Sequence, residues 1–504
     1  MKRLAQLAAA VCLASPLHAS QTPATMLELG KPVARDIAVG DTHTYRISVQ
    51  ANDAVHLVAR QLGADVVLTL LDSDAKSIVE MDTPTGSSGA ESIWFVVPRA
   101  GELLVQVRPF DRSGGRYELR LDARRPATAE DPRRVHAQGL MLEALRLDDG
   151  SMAAAIQKLK EAVSIARSLG DGDAVGLMMR ALADFDVDVA LDAMGLDVIT
   201  GRVRAYYSSG FRERADAVRH DVERISAFFE KTLGVSARVS LAVLTPQDWS
   251  AACFSGAPYG MPSSRASRSG AGLVCIGSTY EFSDAMARSL RGQLPPKDAA
   301  AMETALGMPF EEAMRKFSDT IVAHELGHLY TLAFGIIPPT QWMNELLANY
   351  MEIAYRSGHP PDEAEQRVRA MFDQLGAKRP IPANTTLEDF ERLYVGMPAD
   401  NYVWYQQQFA RRAEAVFQSR GLAFLSDVKT AFPRDEPRPI PVQITLERLE
   451  KIAPGFVQWA GRLGKGGLAT MAPEARLSPA GRGLRILDRE PHVTDRFRSR
   501  AAGS

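Results

Sequence analysis

The chain has 504 residues, 46% hydrophobic and 24% charged, with a formal net charge of −2 at pH 7. Such proportions describe about two to four globular domains and exclude wholesale disorder and a fibrous repeat. The near-neutral balance excludes the strong basic field of a dedicated nucleic-acid binder, so no nucleic acid is expected as a partner. No apolar run reaches the roughly 18–20 residues that span a membrane, so no transmembrane segment is expected either.

Residues 1–19 read as an export signal. Lys2 and Arg3 precede an apolar run over 4–13, Pro16 breaks it, and Ala19 offers a small residue before a cut. The expectation is an exported chain, periplasmic or extracellular. Cys12 falls inside this segment, which leaves Cys253 and Cys275. In an oxidising compartment these two can form a structural disulfide or remain buried thiols, and spacing alone does not place their Cα atoms.

Residues 26–125 predict an antiparallel β-sandwich. Tyr45, Ile47 and Val49 alternate with polar neighbours, as do Val55, Leu57 and Ala59, then Leu103, Val105 and Val107, then Tyr117, Leu119 and Leu121. Turn residues separate these runs, among them Gly40-Asp41, Asn52-Asp53 and Gly114-Gly115. Residues 126–200 predict a helical connector, one helix through Leu140, Leu142, Leu145 and Leu147 and a second through Ala155, Leu159, Ala162 and Ala166. A single such hairpin is a spacer rather than a repeat array.

Residues 201–445 predict a mainly helical domain with a small β-sheet, so the fold class is multidomain α+β. A long amphipathic helix covers 211–233 and stops at Gly234, and Val239–Leu244 forms a strand. A Gly/Ser/Arg-rich loop covers 255–272, a second strand runs from Leu273 to Ile276, and 291–308 reads as a connector. The end, 461–504, carries a surplus of Arg and Lys and reads as a flexible tail.

The chemistry is concentrated in His324-Glu325-Leu326-Gly327-His328. Pro309, with Glu311 and Glu312 behind it, opens a helix there, and Gly335 and Pro338-Pro339 stop it. On that helix the two histidines are one turn apart on one face, so one zinc ion can take a nitrogen from each. Glu325 projects beside them and can take a proton from a water that the metal activates. Two histidines leave the ion short of ligands, and a second helix from Thr340 carries Asn344-Glu345-Leu346-Leu347-Ala348, with Glu345 seventeen residues after His328. The longer motif with a third histidine is excluded, because Thr331 and Phe334 stand at its Gly and His positions.

This pattern resembles the gluzincin zinc metallopeptidases of the peptidase-MA-like type over roughly 205–440. It rests on the His-Glu motif, the Asn-Glu-x-x-Ala helix, the loop Pro258-Tyr259-Gly260-Met261-Pro262 and a helix with Tyr402 and Tyr405. The resemblance implies one zinc held by His324, His328 and Glu345, with Glu325 as general base and a peptide or protein as substrate. It implies an oxyanion donor on the Tyr402 helix, with Tyr405 preferred to Tyr402. The strand at 273–276 is expected to take substrate as an added strand, with Tyr259 and Gly260 at the rim. Asn349 stands where relatives often have an acid, and it is expected to accept from a zinc histidine without adding charge.

Residues 26–125 resemble the bacterial pre-peptidase C-terminal domain, which implies an accessory sandwich beside a secreted peptidase. The alternative function is a cell-envelope binding or scaffold protein with a catalytically weak or inactive metallopeptidase fold, its envelope partner docking through the sandwich. His43, His56, His220 and His359 have no partner at ligand spacing and read as packing or surface residues.

Overall fold

The computed structural model describes residues 24–463 except 111–113, 148, 254–256, 379–380 and 395–396. The expected export signal with Cys12, and the tail beyond 463, lie outside the described residues. The chain divides into two compact units, one up to Ala190 and one from Leu191.

The first unit begins with strands β1 (Thr25–Met26), β2 (Val33–Ile37), β3 (His43–Val49), β4 (Asp53–Leu62), β5 (Val66–Leu71), β6 (Ser77–Met81), β7 (Ala90–Val96), β8 (Gly101–Pro109) and β9 (Gly115–Pro126). They form two sheets, ordered β1-β3-β8-β5-β6 and β2-β9-β4-β7. Pairing is antiparallel, save for the two residues of β1 beside β3. The alternating residues face inward as patterned: Tyr45, Ile47, Val105, Val107, Tyr117, Leu119 and Leu121 are buried. Helices α1 (Asp131–Leu145), α2 (Met152–Ser168) and α3 (Gly172–Phe185) follow. Gln138 of α1 grips β7, the end strand of its sheet, accepting from Trp94 N at 2.8 Å and donating to Trp94 O at 3.3 Å. Backbone groups on a sheet edge are thereby covered within the same unit.

Helix α4 (Val187–Met194) leads into the second unit. Its sheet is built from β10 (Asp197–Ile199), β11 (Arg204–Tyr207), β12 (Arg238–Leu244), β13 (Ser263–Ala266) and β14 (Ala271–Gly277), in the order β10-β11-β12-β14-β13. The three inner strands run parallel, and β10 and β13 are antiparallel at the edges. Between β11 and β12 runs α5 (Arg212–Leu233), ended by Gly234 at φ 67°, a left-handed conformation that glycine adopts without strain. The short α6 (Pro246–Ala252) follows β12.

Three expectations change here. The stretch 255–272 is not loop throughout, because Ser263–Ala266 is the edge strand β13. The strand at 273–276 is an interior strand, paired on both sides, and cannot accept a further strand. The connector at 291–308 is mostly helix, with α7 (Glu281–Gly292) running into it and α8 (Pro296–Leu306) inside it. Polar composition hid β13, and α8 buries only Ala299 and Leu306, too few for a periodic signal.

The rest is helical: α9 (Phe310–Ala333), α10 (Gln341–Gly358), α11 (Glu363–Lys378), α12 (Leu387–Leu393), α13 (Ala399–Arg420), α14 (Ala423–Ala431), α15 (Val442–Ile452) and α16 (Phe456–Leu463). One core joins the sheet to α9 and α10, through Val222 and Phe229, Leu241 and Val243, Val274 and Ile276, Val322 and Leu326, and Trp342 and Leu346. No helix among the described residues is long and apolar enough to cross a membrane.

Candidate metal centre

Helix α9 starts after Pro309 with Glu311 and Glu312 in its first turn, where the helix dipole favours acids. It buries Phe310, Ala313, Met314, Val322, Ala323, Leu326 and Leu329, which anchors it along its length. Helix α10 is capped by Thr340, whose hydroxyl accepts from Met343 N. Glu391 of α12 accepts from Gln341 N and Trp342 N at 3.0 and 2.8 Å, satisfying two more free amides of that first turn.

Gly327 lets these two helices meet. A Cβ there would lie 2.9 Å from Met351 Cβ and 3.0 Å from the Ala348 carbonyl oxygen. Any larger residue would push α10 away from α9, and Glu345 away from the histidines.

The result is a convergence of three donor atoms. Glu345 Oε2 lies 3.3 Å from His324 Nε2 and 3.9 Å from His328 Nε2, and the three ligand atoms are all within 4.8 Å of one another. Ligands on a tetrahedral zinc at 2.0–2.1 Å are about 3.3–3.5 Å apart; the His324–Glu345 pair has that spacing, the His328–Glu345 pair is wider, and two imidazole nitrogens with one carboxylate oxygen are a donor set that suits the ion by chemistry. His328 Nδ1–H donates to Asn344 Oδ1 at 3.1 Å, which leaves the Nε2 lone pair for the centre.

Burial alone would raise the pKa of Glu345. The hydrogen bond from His324, the charges of both histidines and the Tyr394 hydroxyl outweigh it and hold the carboxyl down, as an anion. Burial pulls His324 down, and the hydrogen bond and charge of Glu345 more than reverse it; for His328 burial wins and the shift is downward. Glu325 is pushed up to about 7 by burial, against the charge of His324 and the bond from Ser264. Ser264 Oγ, on β13, donates to Glu325 Oε2 at 2.8 Å.

The tyrosines divide differently from the sequence expectation. Tyr405 is fully buried against Phe390 and Phe409, and its hydroxyl donates to the Thr386 carbonyl at 2.6 Å, so it ties α13 to the start of α12 and is not brought to the centre. Tyr402 donates to Glu345 Oε2 at 3.4 Å. Tyr394, which sequence reasoning missed, donates to Glu345 Oε1 at 2.7 Å. Gln406, also missed, donates to Glu345 Oε2 at 2.7 Å. Gln406 stands four residues after Tyr402 and shares its helix face, a signal that was available. Tyr394 follows a seven-residue helix and carries no such signal. Asn349 does not take its expected role either, since its amide donates to the Glu345 carbonyl and to Gln406 Oε1.

Cys253 and Cys275 are buried thiols, with Cys253 Sγ 3.3 Å from Ser263 Oγ. His43 Nδ1 bonds the Tyr117 hydroxyl and His56 stacks on Trp94, while His220 is exposed and His359 caps α10.

No family model and no curated protein matches this chain. Among solved structures it is similar to a pre-peptidase C-terminal domain of a collagenase from Bacillus anthracis, at 17% identity over 20% of this chain and 94% of that one, with a TM-score of 0.17. It is also similar to a periplasmic inhibitor of g-type lysozyme from Aeromonas hydrophila, at 11% identity over 20% of this chain and 96% of that one, with a TM-score of 0.16.

Proposed function

We propose that the chain is an exported zinc-dependent metallopeptidase of gluzincin type, acting on peptide or protein substrates in the periplasm or outside the cell. The observation that carries this reading is the meeting of His324 Nε2, His328 Nε2 and Glu345 Oε2 beside the buried carboxylate of Glu325. A zinc ion bound by those three atoms supplies a Lewis acid, polarising a water and a scissile carbonyl.

The remaining steps belong to side chains of this protein. Glu325, a buried carboxylate beside the two histidines, accepts the proton of the attacking water at a carboxylate oxygen. It then delivers that proton to the leaving amine nitrogen. Ser264 orients Glu325 through its 2.8 Å hydrogen bond. The developing oxyanion needs a donor, and Tyr402, whose hydroxyl makes only a long 3.4 Å contact at the centre, is the better assignment than Tyr405, whose hydroxyl is turned to the Thr386 carbonyl at 2.6 Å. An extended substrate adds to β13, the edge strand that also carries Ser264, rather than to the interior β14.

The test is zinc content of the purified protein together with hydrolysis of a mixed peptide library. About one zinc per chain is expected, with cleavage that chelation stops and Glu325→Gln abolishes while zinc is retained. A zinc-loaded protein that cleaves nothing would favour the binding-protein alternative instead.

A further inference from the structure

We infer that Gln406 and Asn349 form a positioning pair that sets the zinc affinity of the centre by fixing the liganding oxygen of Glu345. The inference rests on the proposal that Glu345 is a metal ligand, and it concerns what holds that ligand in place.

The observation is a ring of hydrogen bonds that begins and ends on Glu345. Asn349, one turn further along α10, donates through Nδ2 to the Glu345 carbonyl oxygen at 2.9 Å. The same nitrogen donates to Gln406 Oε1, also at 2.9 Å. Gln406 Nε2 then donates to Glu345 Oε2 at 2.7 Å and to the Tyr402 hydroxyl at 2.8 Å. Both amide nitrogens thus spend two hydrogens each, and the Gln406 carbonyl has its donor.

The ring has only one consistent orientation. Turning the Gln406 amide over would set its oxygen against the Glu345 carboxylate and its nitrogen against the Asn349 nitrogen, an acceptor pair and a donor pair. Asn349 therefore dictates which end of Gln406 faces the ligand. An acid at 349 has no hydrogen to give to Gln406 or to the Glu345 carbonyl. The residue is accordingly more than an uncharged substitute for an acid: it is the donor that sets the ring.

The chemistry suits a ligand clamp. Glu345 is a long side chain, and the conformational entropy lost in freezing such a chain is paid by the ring in advance of metal binding. Gln406 does so without charge, so no positive group offsets the negative charge of the carboxylate. A Lys or Arg at 406 would hold the same oxygen but compete electrostatically with the ion.

The experiment is zinc affinity of the full chain, measured by equilibrium competition with a chromogenic chelator, on the parent, Gln406→Leu, Gln406→Met, Asn349→Asp and Asn349→Leu. Outer partners of metal ligands typically contribute about 10- to 100-fold to affinity, and both Gln406 variants are expected to lose that much. Asn349→Leu is expected to weaken binding in the same direction, and adding it to Gln406→Leu to cost little more, because both break one ring. Asn349→Asp is expected to weaken binding too. Melting of the metal-free proteins serves as the control, and the two Gln406 variants cover each other against misfolding. Parent-like affinity in both folded Gln406 variants, or tighter binding by Asn349→Asp, overturns the pair while leaving the metal centre intact. A parent that binds no zinc overturns the metal centre and the pair with it.

Discussion

Two glutamates are buried to nearly the same degree in the two units, Glu91 at 0% exposure and Glu345 at 2%, yet they are held in opposite charge states. Glu91 on β7 accepts from Thr83 N, Thr83 Oγ1, Thr85 Oγ1 and Gln61 Nε2 at 2.8–3.3 Å. Burial outweighs those bonds and pushes its pKa up to about 8. Glu345 is opposed by burial as well, but two imidazoles face it and hold it ionised. Burial therefore sets the penalty, and the titratable neighbours decide who overcomes it. Hydroxyl and amide partners close locally around Glu91 and make a structural lock joining β4, β7 and the Thr83–Thr85 turn. The hydrogen bond and charge of His324 keep Glu345 negative beside the free Nε2 of His328, and a cation that replaced the His324 proton would meet three donor atoms.

Removing each carboxylate is the strongest way to break this comparison. Glu345→Ala is expected to lower zinc affinity by more than about a hundredfold, beyond the usual range for an outer partner, because a ligand itself is lost. Chelators should then no longer shift its melting temperature, whereas they should lower that of the parent. Glu91→Ala is expected to leave zinc content unchanged. Metal analysis and paired melts with and without chelator read both; loss of zinc in Glu91→Ala would erase the distinction.

The second difference is one of pH. The folded pKa of Glu91, about 8, lies above its ordinary value of 4.5, so the folded state binds the extra proton. Stability from this group is full below about 4.5, falls as pH rises through the interval, and is fully lost above about 8. The size is a few kcal/mol by linkage, order of magnitude. Glu91→Gln is expected to flatten that slope. Its amide oxygen can accept from Thr83 N and its nitrogen can donate to the Thr83 and Thr85 hydroxyls, which rotate to accept, at the loss of the 3.3 Å bond from Gln61 Nε2. Hydrogen exchange of the β4 and β7 amides, corrected for intrinsic rate and compared at pH 6 and pH 8.5, reads the effect. Equal protection at both values in the parent would contradict it.

Legibility in the sequence follows the range of the interaction. His324 and His328 were readable because one helical turn places them, and the stops at Gly234 and Gly335 because helix ends are local. The strands at 45–49 and 117–121 showed themselves by alternation. β5 did not, since all six of its residues are buried and a run apolar but for Thr69 has no period of two. β13 was hidden for the opposite reason, as a polar edge strand whose partner is what makes it a strand. The tyrosine choice failed on tertiary grounds: Tyr402 and Tyr405 are three residues apart on α13, and only the position of α12 decides which hydroxyl meets Glu345 and which the Thr386 carbonyl. Tyr394, Gln406 and Ser264 come from the residue after α12, from α13 and from β13, separate segments that no spacing rule joins to the motif.

The smallest expected effect sharpens the comparison within the metal centre itself. Asn344 Oδ1 accepts the Nδ1 hydrogen of His328, whereas the partners of Glu91 are a backbone amide, a side-chain amide and two hydroxyls that can turn to accept as well as donate. Asn344→Ala frees the imidazole to rotate and to carry its hydrogen on either nitrogen, so the Nε2 lone pair is no longer reserved. Zinc affinity is expected to fall about tenfold, the low end for such partners. Asn344→Asp keeps the acceptor and adds a negative charge, which makes Nε2 a better donor to a cation, and its affinity is expected to equal or exceed that of the parent. The ordering Asp at least equal to Asn, and Asn above Ala, is diagnostic. A role for Asn344 in folding alone would move the metal-free melts of the variants and leave the zinc affinities of those that fold alike. If Asn344→Ala binds zinc as tightly as the parent, His328 is oriented by the packing of α9 alone.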